Sequence, residues 1–225
     1  MYIFVYFANS SKAGAILFHF IALLLITSFP TVTSQLSSYK CNNASTYADE
    51  STFSSNLNTL MGDLVKDTPQ TGFNTSFYGK SPNRIYVLLQ CTGNISLQDC
   101  SICSQQAYDN VLQLCGNDVG GRVWLDSCFL RYENFSFFSQ VDTNGTYLLN
   151  TNKMSTSNLY DFRTTTSNLL FNLSNEAYNF ANKGFPQGSA TYSVNGTVYG
   201  LVQCWRDLSL NNCRSCLQLA TEVYP

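Results

Sequence analysis

Histidine is almost missing from this chain. The only one, His19, lies inside an apolar N-terminal run, so everything after Ser34 has none. That excludes Ser-His-Asp and Cys-His catalysis and imidazole metal sites, and leaves an enzyme only carboxylate or lysine chemistry. Charge is also sparse, at 12% Asp, Glu, Lys and Arg. Past Lys12, 11 basic residues face 14 acidic ones, a net of −3. So weak an acidic balance points to neither nucleic acid nor an anionic membrane as partner. The acidic residues are scattered, and no pair can be placed on one cleft as a glycosidase requires. A long hydrophobic run occurs once, at residues 13–29.

That run follows Lys12 and exits through Thr31, Thr33 and Ser34, which reads as a secretory signal peptide over residues 1–34, with Val32 and Ser34 at the cleavage site. A membrane anchor is the alternative, but 17 residues fall short of a span of roughly 20. The remainder of the chain agrees with export. All nine cysteines lie after Ser34, as a disulfide framework in an oxidising compartment requires. So do seven N-x-S/T sequons, at Asn43, Asn74, Asn94, Asn134, Asn144, Asn172 and Asn195, which are expected glycosylation sites.

The cysteines are organised in two matching frames. Cys91 to Cys103 reads C-x8-C-x2-C, and the same grammar returns at Cys204, Cys213 and Cys216, an offset of 113 residues. Each frame is entered by an apolar run ending in Gln-Cys, Ile85 to Gln90 and Val198 to Gln203. Matched frames of this kind mark an internal repeat. The predicted layout is a first domain at 35–137, a Ser/Thr/Asn-rich linker at 138–157 and a second domain at 158–225. Counterparts of Cys115 and Cys128 would fall past Pro225, so the second domain is expected to be truncated, and Met154 stands where Cys41 would repeat.

Local patterns supply the elements. A short strand is expected around Ser37 to Cys41. Phe53, Leu57, Leu60 and Leu64 form one helical stripe over Ser51 to Lys66, with Ser51 or Thr52 as N-cap. Asp67 to Asn83 reads as turns around a strand at Phe77-Tyr78. Ile85 to Gln90 is an uninterrupted apolar run and reads as a central strand buried on both faces. Ser96 and Asp99 form a capping box for a helix to about Leu114, which turns Cys100 and Cys103 toward the sheet. Gly120-Gly121 reads as a turn into two strands flanking Cys128. In the second copy, Leu159 to Tyr178 repeats the first helix, Gly184 to Gly196 is a turn region, and Ser209 caps a helix. The aromatics Tyr132, Phe135, Phe137 and Phe138 read as core in preference to a sugar-stacking platform.

A C-x2-C at a helix start serves a redox dithiol, half a zinc site or a structural crosslink. The export signal and the nearby Cys91 favour the crosslink, and a zinc site lacks a second C-x2-C in the same domain. Six cysteines in the first domain still allow fifteen pairings.

The frame preceded by Y-x-L-x-Q-C and followed by G-G-R-V-W-L-D-S-C-F-L-R-Y-E resembles the ginkbilobin-type cysteine-rich repeat family of plants, also called stress-antifungal domains. The resemblance implies an α+β fold, in which each domain packs two helices on a five-stranded antiparallel sheet. It implies the pairs Cys41–Cys115, Cys91–Cys100 and Cys103–Cys128, and by repetition Cys204–Cys213, with Cys216 left over. It also implies a non-enzymatic, secreted defence protein of the apoplast that binds mannose-type glycans through Asn42, Arg122 and Glu133, without cofactor or metal. The alternative is the protein-interaction ectodomain of a truncated cysteine-rich receptor-like kinase or plasmodesmal protein. On residues alone, Arg122 and Glu133 also suit a cross-strand ion pair, and Asn42 a loop residue bonded to its own backbone.

Overall fold

Ser51 opens the first helix by accepting a hydrogen bond from the Ser54 amide at 3.2 Å, and the stripe Phe53, Leu57, Leu60 and Leu64 behind it is buried. The computed structural model describes residues 2–9, 34–142, 159–177, 185–194 and 196–222. Most of the expected signal segment and linker, with Asn144 and Asn195, lies outside them. The helix, α1 (Thr52–Thr71), runs past Lys66, because its stop signal is Gly72. At φ 74°, Gly72 takes the left-handed conformation and donates its N–H to the Thr68 carbonyl.

Around it stand β2 (Leu36–Thr46), β3 (Phe73–Tyr78), β4 (Ile85–Cys91), α2 (Leu97–Cys115), β5 (Asp118–Leu125) and β6 (Cys128–Glu133). The strands form one antiparallel sheet in the order β2-β5-β6-β4-β3. The Ile85 run is thus a central strand buried on both faces as expected, lying between β6 and β3. Gly120 and Gly121 make no turn, since they lie inside β5. They are there for clearance. A Cβ on Gly121 would meet Cys115 Sγ at 2.8 Å and the Tyr132 ring at 2.9 Å.

The capping box at Ser96 forms, its hydroxyl accepting the Asp99 amide at 3.0 Å. It starts α2 so that Cys100 and Cys103 point into the core. Disulfides join Cys41–Cys115, Cys91–Cys100 and Cys103–Cys128, tying α2 to β2, β4 and β6. A fourth joins Cys204–Cys213, and Cys216 is free and buried.

The second repeat contributes α3 (Leu159–Ala177), β7 (Gln187–Ser193), β8 (Gly196–Gln203) and α4 (Leu210–Glu222). Ser209 caps α4, accepting from the Asn212 amide at 3.2 Å. The stretch expected as a turn region contains β7 instead, a largely polar edge strand whose pairing partner β8 carries the apolar residues. An N-terminal strand, β1 (Tyr2–Asn9), lies on the other side of β8. Among the described residues no helix is long and apolar enough to cross a membrane.

Side chains alternate across a strand, so the first sheet has two faces. One face, with Val87, Leu89, Val123, Leu130 and Tyr132, packs on α1 and α2. The other carries Leu88, Trp124 and Phe129, which join a second core with Leu170, Val198, Val202 and Trp205 of the second repeat. Phe129 stacks on Trp205 at 4.1 Å between centroids.

The Gln-Cys dipeptide that enters each cysteine frame has a physical role here. Gln90 Nε2 donates to the Cys204 carbonyl at 2.9 Å, and Gln203 Nε2 donates to the Cys91 carbonyl at 3.1 Å. Each repeat thus bonds the other's cysteine backbone in a reciprocal exchange. The exchange is unequal, because Gln90 Oε1 also accepts the Arg206 amide at 3.0 Å, whereas Gln203 Oε1 is buried with no partner. Gln90→Ala orphans a carbonyl and an amide; Gln203→Ala orphans one carbonyl. With about 1–3 kcal/mol per stranded buried group, Gln90→Ala is expected to cost roughly twice as much. Urea unfolding of both variants checks this, and equal losses would contradict it.

Candidate functional site

Asn42 ends up beside Glu133 because β2 pairs Asn42 with Gly120, and Gly120 has no side chain to stand between them. A Cβ there would lie 2.1 Å from Glu133 Oε2. Arg122, two residues on, shares its face with Trp124 and sits opposite Arg131, which shares a face with Phe129 and Glu133. The three residues singled out from sequence therefore converge on the outer face of the first sheet, beside the half that packs on the second repeat.

They do not converge alone. Glu133 Oε2 accepts from Asn42 Nδ2 at 2.9 Å, and Glu133 Oε1 accepts from Arg131 Nε at 3.0 Å and Nη2 at 2.9 Å. Arg122 Nη2 stands at 3.7 Å from Glu133 Oε1, so the close partner of Glu133 is Arg131. Arg122 Nη1 donates to Asp142 Oδ2, and Arg131 Nη1 donates to the same oxygen at 2.9 Å. The Arg131 guanidinium lies 4.1 Å from the centroid of the Phe137 ring. Asn42 Oδ1 accepts the Ala44 amide at 3.3 Å. The backbone-bonded reading of Asn42 thus holds through one end of its amide, while the other end bridges to Glu133.

The electrostatics are set by burial. The Glu133 side chain is 2% exposed, Arg122 10%, Arg131 11% and Asp142 19%. Burial pulls the Arg122 guanidinium below its ordinary value, as does the Arg131 charge beside it, while Asp142 and Glu133 hold it up. Two cations and two anions are in contact, Asp207 acts on Arg131 from further off, and each oxygen of Glu133 has a donor. The cluster offers an amide, two guanidinium forks and two carboxylates, the donor and acceptor types that vicinal hydroxyls require.

Sequence reasoning missed Arg131 and Asp142. Arg131 had a signal, since it stands two residues before Glu133 and period two places both on one face. Asp142 had none, because it lies nine residues beyond β6 in irregular backbone. Of the aromatics, Tyr132 and Phe137 are core, but Phe135 is 47% exposed and contributes no core packing. Among the sequons, Asn43 and Asn134 are exposed neighbours of Asn42 and Glu133, Asn94 and Asn172 are exposed elsewhere, and Asn74 is half-buried.

Cys100 is bonded to Cys91, which removes the dithiol, and burial pushes the Cys216 thiol up and away from the reactive thiolate. Among the described residues no group of His, Cys, Asp and Glu is arranged to hold a metal.

The close approach at Gly120 gives a sharp test. Gly120→Ala is expected to drive Asn42 and the Glu133 carboxylate apart and to cost about 1–3 kcal/mol, as overpacking does. Thermal unfolding checks it, and an unchanged midpoint would mean that the carboxylate moves freely.

The family described as salt stress response/antifungal matches residues 40–135 and 146–224. Cysteine-rich repeat secretory protein 38 of Arabidopsis thaliana is 35% identical over 217 residues, covering 92% of this chain and 85% of that one. The antimicrobial ginkbilobin-2-like protein of Castanea crenata is 32% identical over 186 residues, covering 82% and 76%. The crystal structure of a tandem DUF26 ectodomain from an Arabidopsis thaliana cysteine-rich receptor-like protein superposes with a TM-score of 0.72 at 24% identity, covering 84% of this chain and 87% of that one. The chain belongs to the salt stress response/antifungal family of cysteine-rich repeat proteins.

Proposed function

We propose that this is a secreted, non-enzymatic glycoprotein that recognises extracellular mannose-type glycans through Asn42, Arg122 and Glu133 of a first domain spanning residues 35–137. The observation that carries the reading is the meeting of these side chains, from β2, β5 and β6, in one cluster where Asn42 bridges to Glu133 at 2.9 Å. An amide, a guanidinium and a carboxylate so placed can grip adjacent hydroxyls from both sides. Relatives that are secretory and antimicrobial by name support an extracellular binding role in plant defence. Glycans on Asn43 and Asn134 would flank the cluster. The site is single, because the second copy has Ser155 where Asn42 would repeat.

A mannan-binding assay on the secreted chain tests this, with Asn42→Ala as the mild variant. Binding by the wild type and at least a tenfold loss in the folded variant are expected, about 1.4 kcal/mol. No binding by the wild type, or equal binding by both, would refute it.

A protein-interaction ectodomain is the second reading. It is favoured by the likeness to a solved receptor-like ectodomain and by Phe77 and Tyr78, which are 56% and 49% exposed on edge strand β3. Loss of partner capture on Phe77→Ser, with mannan binding absent, would select it.

A further inference from the structure

We propose that Arg122 and Arg131 form a carboxylate-recognition site that Asp142 occupies from within the chain, and that the external ligand displacing Asp142 is a glycan bearing a uronic acid. This rests on the glycan reading of the same cluster and names the sugar class.

The first argument is geometric. Arg122 Nη1 and Arg131 Nη1 converge on one oxygen, Asp142 Oδ2. Two guanidinium groups around a single carboxylate oxygen are arranged for an anion, since planar forks match a carboxylate in both spacing and charge. The Phe137 ring beneath Arg131 holds that fork in place.

The second is charge balance. Glu133 is built into β6, 2% exposed and saturated by Arg131 and Asn42. Asp142 stands in irregular backbone and is the most exposed of the four, at 19%. Asp142 is therefore the carboxylate that can leave. When it leaves, the two guanidinium groups keep one carboxylate in contact, Glu133, in a largely desolvated place, with Asp207 acting on Arg131 from beyond contact distance. A neutral hexose supplies hydroxyls but leaves that excess cation unpaired, whereas a uronic acid restores the balance. Asn42 at the rim is then positioned for a neighbouring hydroxyl.

Titration of the full secreted chain with trigalacturonate, its methyl ester and mannobiose, by calorimetry, tests the proposal. Asp142→Asn removes the internal competitor and is expected to tighten trigalacturonate on the order of tenfold, as freeing a site occupied nine-tenths of the time does. Mannobiose should change less than threefold, as an uncharged ligand gains nothing from the freed charge. In the wild type itself the methyl ester should bind on the order of tenfold more weakly than the acid, a comparison that does not depend on a variant folding. If the ester binds as well as the acid, or if folded Asp142→Asn leaves trigalacturonate unchanged while mannobiose still binds, the uronate proposal fails and the mannose reading stands. Trigalacturonate binding with no response to mannobiose supports the proposal and removes the mannose reading. No binding of either sugar to the wild type and folded Asp142→Asn overturns both.

Discussion

Glu133→Gln is expected to destabilise the folded chain by about 3–5 kcal/mol, the cost of leaving a buried charge without its partner. Glu133 is 2% exposed and takes the Arg131 fork at 2.9 and 3.0 Å, with Arg122 at 3.7 Å and Asn42 closing its other oxygen. The amide keeps the shape but leaves Arg122 and Arg131 with Asp142 as the one carboxylate in contact. In a chain of this size the loss corresponds to roughly 6–20 °C in the unfolding midpoint. Asp142→Asn, at the most exposed member, should cost less, about 1–3 kcal/mol. Guanidinium unfolding of the two variants, each confirmed folded by near-UV circular dichroism, gives the comparison. Similar small losses would show that the cluster is loosely solvated.

The second large effect concerns the crosslinks. Cys41–Cys115 joins residues 74 apart, Cys103–Cys128 residues 25 apart, and Cys91–Cys100 residues 9 apart. On loop entropy alone, replacing each pair by serine should cost about 4.5, 3.5 and 2.7 kcal/mol in that order. The longest loop also ties β2, which carries Asn42, to the end of α2. Cys41→Ser/Cys115→Ser is therefore expected to lower the unfolding midpoint most and to loosen the cluster as well. Scanning calorimetry of the three double variants should return that order. A reversed order would place the main stabilisation in local strain or packing at the shorter loops.

How much of the molecule is legible in its sequence depends on how far each signal reaches along the chain. Ser51 and Ser96 cap their helices through bonds spanning three residues, so their roles show in the sequence. The C-x8-C-x2-C frames and their repeat are equally legible, since repetition is itself a sequence property. Gly120 and Gly121 look like a turn because the reason for them is long-range. The atoms that forbid a side chain there belong to Glu133, Cys115 and Tyr132. The strand β7 escapes notice because an edge strand needs few apolar residues and its polar composition imitates a loop. Asn42, Arg122 and Glu133 came through resemblance, and only the register of β2, β5 and β6 explains their meeting.

Nuclear magnetic resonance of the 15N-labelled chain during titration with mannobiose reads the site most directly. Saturable shifts are expected in the Asn42 side-chain amide and the Arg122 and Arg131 Nε–H signals, with the second-core indoles of Trp124 and Trp205 unmoved. Shifts confined to another surface, or none at millimolar sugar, would contradict glycan recognition by the Asn42, Arg122 and Glu133 cluster.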